Sequence, residues 1–173
     1  RRQELLKIQW NNNDRSSIFE FFGSLEELKT KGKKVRIMHY GDSQIEGDRI
    51  TGKMRNEFQK AYGGSGAGLV PAVEAVQNAA IKQTNSDNWN RYTLFGRPDT
   101  NVKHNRYGPL FSFGTFKSVT DTSSAIDSAW INFENSNLTY YSTRKFTHVE
   151  MSYGNVSQPF ILKTYVDDSL TQT

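Results

Sequence analysis

The 173-residue chain contains no cysteine, so disulfide bonds and metal sites built from thiolates are excluded. No run of apolar residues approaches the roughly 18 that a membrane-spanning helix requires, and we expect no membrane span. The first residues, Arg1-Arg2-Gln3-Glu4, lack the form of a signal peptide, although a processed secreted chain would look the same. These absences exclude a disulfide-stabilised domain and an integral membrane helix.

An excess of charge of one sign is also missing. The 22 basic and 18 acidic side chains leave a net charge of +4, and most of the basic residues are scattered. One basic cluster lies in a predicted connection between a helix and a strand, and it comprises Lys29, Lys31, Lys33, Lys34 and Arg36. We interpret this cluster as a solvated loop and predict no nucleic-acid partner.

Aromatic residues, in contrast, are plentiful, with 11 Phe, 8 Tyr and 3 Trp, which argues against disorder. Near residue 77 the sequence pattern changes from helical periodicity to short alternating runs separated by turn residues. We therefore predict an α/β region over 1–76 and an antiparallel β-sandwich or jelly roll over 77–173. The strands predicted in the second region are Ala79–Gln83, Arg91–Phe95, Leu110–Val119, Ala129–Glu134, Phe146–Tyr153 and Phe160–Val166.

The first region is predicted to contain two helices and a single strand. The capping-box pattern Ser17-x-x-Glu20 predicts a helix that ends near Gly32, and a Val- and Ile-containing run predicts a strand over 34–40. A second helix is predicted by apolar residues spaced four apart, namely Ile50, Met54, Phe58 and Tyr62. One strand cannot form a sheet with two covered faces, so we expect the missing strands to come from sequence beyond Thr173.

The glycine-rich run 63–68 follows the second predicted helix. A run of this kind can hold a phosphate, but this one lacks the lysine of a P-loop and does not follow a strand. We therefore interpret it as a helix C-cap and a closely packed loop.

The most informative segment is Gly41-Asp42-Ser43, which lies between the predicted strand and the second helix. Open α/β folds bind their ligands at this edge of the sheet. The N-terminus of the following helix would present free N–H groups and a positive dipole end to a developing oxyanion. The pattern predicts that Ser43 is a nucleophile for acyl transfer, with Gly41 and Asp42 supporting the turn.

Neighbouring polar residues have simpler interpretations. Asp42 is expected to cap the turn rather than to act in catalysis. Glu46 and Asp48 suit the first turns of a helix, where carboxylates favour the dipole, and we predict no metal site from their spacing. His39 is expected to be a structural, hydrogen-bonded histidine rather than a base.

The block Gly41-Asp42-Ser43 after an apolar strand resembles the first block of the GDSL/SGNH hydrolase superfamily. The wider stretch is similar to a bacterial branch of peptidoglycan and polysaccharide O-acetylesterases that carry an inserted β-sandwich, and it reads HYGDSQIEGDRITGKMRNEFQKAYGGSGAGLVPA. The resemblance is specific over residues 34–72 and only architectural over 77–173. It implies a flavodoxin-like three-layer catalytic domain, of which 1–76 is the N-terminal part.

For function, the resemblance implies a serine esterase that removes O-acyl groups, typically acetyl, from a polysaccharide or from peptidoglycan. Ser43 would be the nucleophile, its own N–H would contribute to the oxyanion hole, and no cofactor would be needed. Such an enzyme would work in the periplasm or outside a bacterial cell.

The chain departs from this pattern in its histidines. The family uses a C-terminal Asp-x-x-His, whereas none of His39, His104 and His148 has an aspartate three positions earlier. The pair Gly154-Asn155 superficially resembles the family's asparagine block, but we interpret it as a turn. We therefore expect the base to lie in a remaining catalytic-domain segment of the same protein, and we expect negligible esterase activity from 1–173 alone.

Two alternative functions stay open. The second region would be a carbohydrate-binding module if its aromatic side chains were exposed along one face, whereas the simpler expectation is that most of them fill the core, with Trp130 the best core candidate. The candidate sugar-stacking residues are Trp89, Tyr92, Tyr107, Tyr140 and Tyr141. The other alternative is an O-acyltransferase, which uses the same serine chemistry with a sugar hydroxyl in place of water.

Overall fold

A computed structural model describes residues 10–117, 128–156 and 159–172. These residues form helices α1 Ser16–Glu26, α2 Leu28–Lys31, α3 Thr51–Tyr62 and α4 Tyr141–Arg144, with 3₁₀ segments at Asn11–Asn13 and Ser43–Asp48. The strands are β1 Ile81–Asn85, β2 Trp89–Thr93, β3 Ser112–Phe116, β4 Ile131–Asn135, β5 Thr164–Val166 and β6 Ser169–Gln172. They pair in three two-stranded antiparallel sheets, β1 with β4, β2 with β3 and β5 with β6. The architecture is a mixture of helices and small antiparallel sheets, broadly α/β.

In the β1–β4 sheet, successive residues alternate between a half-buried face and an exposed face. Phe133 lies opposite Gln83 on the half-buried face, while Lys82 pairs with Glu134 on the exposed face, with 2.8 Å between Nζ and Oε2. Alternation of this kind places one face of a strand pair on the core and the other in water. The core that it covers consists of Ala67, Ala80 and Ile81, packed by Val70, Phe133 and Phe146.

Aromatic pairs across the strands hold the β2–β3 sheet. Tyr92 stacks on Phe113 with 4.9 Å between ring centroids, and Trp89 meets Phe116 edge-on at 5.4 Å. Such pairs stabilise antiparallel sheets by tenths of a kcal/mol to about 1 kcal/mol each. At Gly114 a β-carbon would lie 3.0 Å from Val73 Cγ2, so this position brings the sheet into close contact with the 70s loop.

The first helical region runs to Gly32, as the sequence predicts. It forms α1 and α2, and Gly32 ends α2 in the left-handed conformation with φ 59°. The predicted capping box at Ser17 was wrong, because α1 begins one residue earlier and the Asp14 carboxylate accepts the Ser16 N–H at 2.8 Å. An aspartate two residues upstream reaches a free amide of the first turn without needing the box.

The strand predicted over 34–40 is not formed. Its residues pair with no other strand in the part of the chain that the structure describes, and Ile37, Met38 and Tyr40 are exposed. A strand needs a neighbour to accept and donate its ladder hydrogen bonds, so an apolar run alone does not make one.

Among the later strands, the first four predictions overlap β1 to β4, and the end of the third, 118–119, lies outside the described residues. The segment Phe146–Tyr153 forms no strand, and of the last prediction only Thr164–Val166 does. Trp130 was wrongly predicted to be in the core, since it is 54% exposed. It precedes β4, and its backbone N–H and C=O bond to Ser86 Oγ and Trp89 Nε1, which hold it at the surface.

No helix within the described ranges is both long and apolar enough to cross a bilayer.

Candidate functional site

Ser43 begins the 3₁₀ segment and is exposed. Asp42 precedes it in an extended conformation, and the Asp42 carboxylate accepts the Gln44 N–H at 2.9 Å. The Asp42 C=O accepts the Ile45 N–H at 3.2 Å, which closes the first turn. Asp42 therefore acts on the turn through its backbone and its side chain together, as an Asx cap does.

The predicted direct passage from Ser43 into a helix was wrong. Helix α3 begins only at Thr51, because Glu46 is extended (ψ 151°) and Gly47 is left-handed (φ 65°). The Gly47 C=O accepts the Ala79 N–H at 3.2 Å, and a β-carbon on Gly47 would lie 3.0 Å from Gln77 O. Contact with residues 77–79 thus interrupts the helical path, and the N-terminus of α3 does not lie at Ser43.

A buried ion pair anchors the end of the 3₁₀ segment. The Asp48 side chain is 3% exposed and accepts two hydrogen bonds from the Arg55 guanidinium, at 2.7 and 2.9 Å, together with one from the Thr51 hydroxyl. Asp48 also has a left-handed backbone, with φ 67°. The sequence analysis did not predict this pair, because Asp48 lies outside α3 and its left-handed backbone, which turns its side chain towards Arg55, is not indicated by the spacing of the two residues.

Arg49 links this anchor to the candidate nucleophile. Its Nη1 donates to the Ser43 C=O at 3.2 Å. Asp42 and Arg49 therefore hold the backbone on both sides of Ser43. The Ser43 hydroxyl and backbone N–H make no hydrogen bond to any described residue.

His104 and His148 make their contacts with residues other than Ser43. His104 Nδ1 accepts the Arg106 N–H at 3.2 Å, and its ring packs on Phe113. His148 contacts Glu150 at 3.2 Å, and His39 is exposed. Among the described residues, no histidine is hydrogen-bonded to Ser43.

Glu150 joins two segments that are distant in the sequence. The Lys34 ammonium lies 2.7 Å from Glu150 Oε1, and its hydrogen bond and charge hold the pKa of that carboxyl below the usual value, with a smaller effect from His148. All three side chains are exposed, so the cluster contributes little stability. The contact between Lys34 and Glu150 links the start of the 34–40 segment to the segment around residue 150.

The five candidate sugar-stacking residues fall into two groups. Trp89 and Tyr92 are half-buried in β2, and Tyr107 is only 5% exposed against Phe113. Tyr140 and Tyr141 are exposed at the start of α4. No ring–ring contact joins the two groups in the described chain, and Tyr140 and Tyr141 are the most exposed of the five candidates.

Two cationic side chains lie near the ring of Tyr141. The Lys145 ammonium lies 4.0 Å from the centre of the Tyr141 ring, and the Arg144 guanidinium lies 5.4 Å from it. A hydrogen bond from Lys145 and its charge lower the pKa of the Tyr141 hydroxyl, and Arg144 adds to this effect.

The glycine-rich run 63–68 forms hydrogen bonds with helices α3 and α4. Gly63 caps α3 through its N–H to Gln59 O at 2.9 Å, which is the C-cap role that the sequence predicts. The Gly66 N–H donates to Ser142 O at 3.0 Å, and the Gln59 amide donates to Gly66 O at 3.0 Å. The run therefore joins α3 to α4.

Gly154-Asn155, which the sequence predicts to be a turn, has a left-handed residue at Asn155, with φ 55°. Its Oδ1 accepts a hydrogen bond from Arg106 Nη1 at 3.0 Å. No group of three or more His, Asp or Glu side chains in the described ranges could hold a metal ion.

Comparison of the chain with protein-family models, with curated proteins and with solved structures yields no match. A functional assignment therefore depends on the residues themselves and on their geometry.

Proposed function

We propose that Ser43 is the nucleophile of a carbohydrate esterase that removes O-acyl groups, chiefly acetyl, from a polysaccharide or from peptidoglycan. The observation that carries the proposal is the state of Ser43, an exposed serine with an unengaged hydroxyl and N–H on a backbone held by Asp42 and Arg49. A nucleophile needs this combination of a fixed backbone and an accessible oxygen.

In the proposed reaction, Ser43 Oγ attacks the ester carbonyl carbon while a histidine takes the hydroxyl proton. The Ser43 N–H and other donors hold the oxyanion, and one such donor is worth about 3 kcal/mol of the barrier. The tetrahedral intermediate collapses, the sugar oxygen leaves with the proton from the histidine, and an acetyl-enzyme remains. Water then attacks the acetyl-enzyme and releases acetate, which regenerates Ser43.

The proposal includes a finer description of the fold. Residues 1–76 would be the N-terminal part of an SGNH-like three-layer domain, and 77–173 would be an inserted β-sandwich. A remaining catalytic-domain segment would supply the histidine, and the enzyme would act in the periplasm or outside the cell. The support for this is the resemblance over 34–72 and the exposed apolar strip Ile37, Met38 and Tyr40, which suits a strand that gains a neighbour.

The test is acetate release from an O-acetylated glycan by the protein expressed from its complete coding sequence. We expect Ser43→Ala to lower the rate by roughly 10⁴-fold or more, because removal of a triad nucleophile leaves only binding and the oxyanion donors. Ser65→Ala is the matched control, since Ser65 is an exposed serine of the glycine-rich run, and it should keep the wild-type rate.

Equal rates for Ser43→Ala and the wild type would exclude Ser43 as the nucleophile. Acetyl transfer to a sugar hydroxyl without release of acetate would show an O-acyltransferase that uses the same serine.

The second candidate function is glycan binding without catalysis, and the exposure of Tyr140 and Tyr141 favours it. Absence of acetate release from any O-acetylated glycan, together with retained glycan affinity, would make this the function.

A further inference from the structure

A cleft of about 480 Å³ lies between the start of α3 and the loop before α4. One wall includes Asp48, Arg49 and Lys53, and the opposite wall includes Asn137, Leu138 and Tyr140. The sequence pattern singled out only Tyr140 among these residues as a ligand contact.

The first wall carries positive charge. Asp48 is neutralised by its two hydrogen bonds with Arg55, so it does not offset the charge of Arg49 or Lys53. Neither of these two cations forms a salt bridge with a carboxylate of the described residues. The pKa of the Glu57 carboxyl is lowered chiefly by its hydrogen bond and ion pair with Lys60, and only to a lesser extent by the charge of Lys53. The cleft therefore holds two cationic side chains that are available to an anion.

The opposite wall supplies an aromatic ring and an amide. The Tyr140 C=O accepts hydrogen bonds from the Thr143 N–H at 3.1 Å and the Thr143 hydroxyl at 2.8 Å, which fixes its backbone at the start of α4. Asn137 Oδ1 accepts from Arg144 Nη1 at 3.2 Å, so the remaining polar group of Asn137 is its amide donor.

The two walls are joined by polar contacts. The Ser142 hydroxyl donates to Asn56 Oδ1 at 3.1 Å, and Asn56 is buried in α3. This contact holds α4 against α3. The cleft is therefore positioned by defined hydrogen bonds on both sides.

We infer that this cleft binds an acidic sugar residue, a uronate or another carboxylated unit of a polysaccharide. Arg49 and Lys53 would bind the carboxylate, the sugar ring would stack on Tyr140, and the Asn137 amide would donate to a ring hydroxyl. As a substrate subsite this inference rests on the proposed function, because Arg49 also donates to the Ser43 C=O and so connects the cleft to the candidate nucleophile.

The positive charges of Arg49 and Lys53 alone would also bind an acidic peptide. The aromatic ring and the amide donor on the wall opposite the cations favour a sugar, which presents a ring face and hydroxyls together with its carboxylate.

The experiment measures binding of the full chain to polygalacturonate, to neutral dextran and to poly-glutamate by isothermal titration calorimetry at low and high salt. We expect polygalacturonate to bind and dextran to bind far more weakly. Lys53→Gln should weaken polygalacturonate binding roughly tenfold, as loss of a charge-assisted contact does, and 0.5 M salt should weaken it as well.

Two matched controls distinguish binding in the cleft from binding to charged or aromatic side chains elsewhere on the surface. Lys163→Gln removes an exposed cation that lies outside the cleft and forms no salt bridge among the described residues, and Tyr153→Ala removes an exposed ring outside the cleft. Both should bind like the wild type, whereas Tyr140→Ala should lose affinity. Ser43→Ala should bind like the wild type, so that binding and acetate release are scored separately.

Equal weakening by Lys163→Gln and Lys53→Gln would overturn the inference, because it would show non-specific charge attraction. Binding of poly-glutamate with no effect of Tyr140→Ala would also overturn it, in favour of an acidic peptide. Loss of acetate release in Ser43→Ala with no polygalacturonate affinity in any variant would leave the esterase proposal intact and exclude this subsite.

Discussion

At the scale of single residues, the environment of Ser43 depends on Gly52 as much as on its charged neighbours. A β-carbon at Gly52 would lie 2.9 Å from Asp48 Oδ2 and 3.3 Å from Asp48 Cγ. Asp48 cannot move away easily, because Arg55 and Thr51 hold its carboxylate. A glycine in the first turn of α3 therefore leaves room for the ion pair that ends the 3₁₀ segment.

We expect Gly52→Ala to lower the free energy of unfolding by about 1–3 kcal/mol, because the added methyl group overpacks a fixed carboxylate. The control is Gly23→Ala in α1, where a β-carbon meets nothing within 4 Å. That change should raise the free energy of unfolding by roughly 0.5–1 kcal/mol through helix propensity. Urea unfolding followed by circular dichroism measures both, and two changes of the same sign would refute the steric explanation.

Glu74 provides a pH-dependent test at this scale. Burial raises the pKa of its carboxyl, and a backbone hydrogen bond from Asn78 partly opposes the shift. Because the raised pKa means that the folded state favours the protonated form, the stabilising contribution is present below the ordinary pKa of 4.5 and is lost as the pH rises through the folded-state value.

We therefore expect the unfolding free energy of the wild type to fall relative to that of Glu74→Gln as the pH is raised from 4 towards 7 (about one pH unit per step). Unfolding by urea at each pH gives the difference, and the other carboxyls cancel because both proteins contain them. A difference that does not change with pH would contradict the prediction. Glu20→Gln, at an exposed position of α1, is the control, and its difference in unfolding free energy from the wild type should change less with pH.

At the scale of elements, α4 is attached to α3 by polar contacts rather than by a large apolar interface. Asn56 is 2% exposed and accepts the Ser142 hydroxyl, while Ser142 O accepts the Gly66 N–H from the glycine-rich run. Thr143 is fully buried beside them and shares a 3.1 Å hydroxyl contact with Thr139. A four-residue helix is too short to be stable alone, so these contacts determine where it lies.

A double-mutant cycle with Asn56→Ala and Ser142→Ala tests this attachment. We expect each single change to cost about 1–2 kcal/mol and the coupling energy between them to be roughly 0.5–1.5 kcal/mol, since the two side chains share one buried hydrogen bond. Chemical denaturation gives the four free energies. Strictly additive effects would show that the bond does not contribute, and Ser24→Ala on exposed α1 is the control for loss of a serine hydroxyl.

At the scale of the whole molecule, long segments expose apolar side chains. Among the residues that the structure describes, few apolar side chains are buried, namely Leu25, Ala67, Ala80, Ile81 and Tyr107. In contrast, the 34–40 segment and the segment around residue 150 belong to no helix or strand of the described chain, and both expose large apolar groups such as Ile37 and Val149. Exposed apolar segments whose backbone pairs with no strand can attract strands of other chains.

We expect the chain to self-associate and the double variant Ile37→Lys with Val149→Lys to reduce that association, because charges on an unpaired edge oppose strand pairing. Sedimentation velocity at rising protein concentration measures the effect. Phe19→Lys, which removes an exposed apolar group from helix α1, should leave association unchanged. An equal reduction by Phe19→Lys would indicate general hydrophobic aggregation instead.

Part of this fold could be predicted from local patterns. The alternation in β4 and the apolar spacing in α3 were sufficient to place those elements, because both patterns depend on neighbours a few residues apart. The exposure of Ile50 at the N-cap of α3 and of Met54 within the helix could not be predicted in this way, since it depends on which surface covers the helix.

For the candidate site, the sequence indicated Ser43 and its Asp42 cap from their positions in one short segment. It did not indicate Arg55 as the partner of Asp48, or the cleft between Arg49 and Tyr140. The first depends on an uncommon left-handed backbone at Asp48, and the second joins residues separated by about 90 positions.

By itself, the sequence determined the absence of disulfides, the turn at Ser43, a helix that contains Met54 and Phe58, and the alternating strand β4, because composition and local hydrogen bonding govern these features. Only the tertiary structure decided that 34–40 stays unpaired, that Gly47 separates Ser43 from α3, and that Tyr107 is buried while Tyr140 is exposed. These outcomes depend on which distant segments meet, and a local pattern carries no information about its long-range partners.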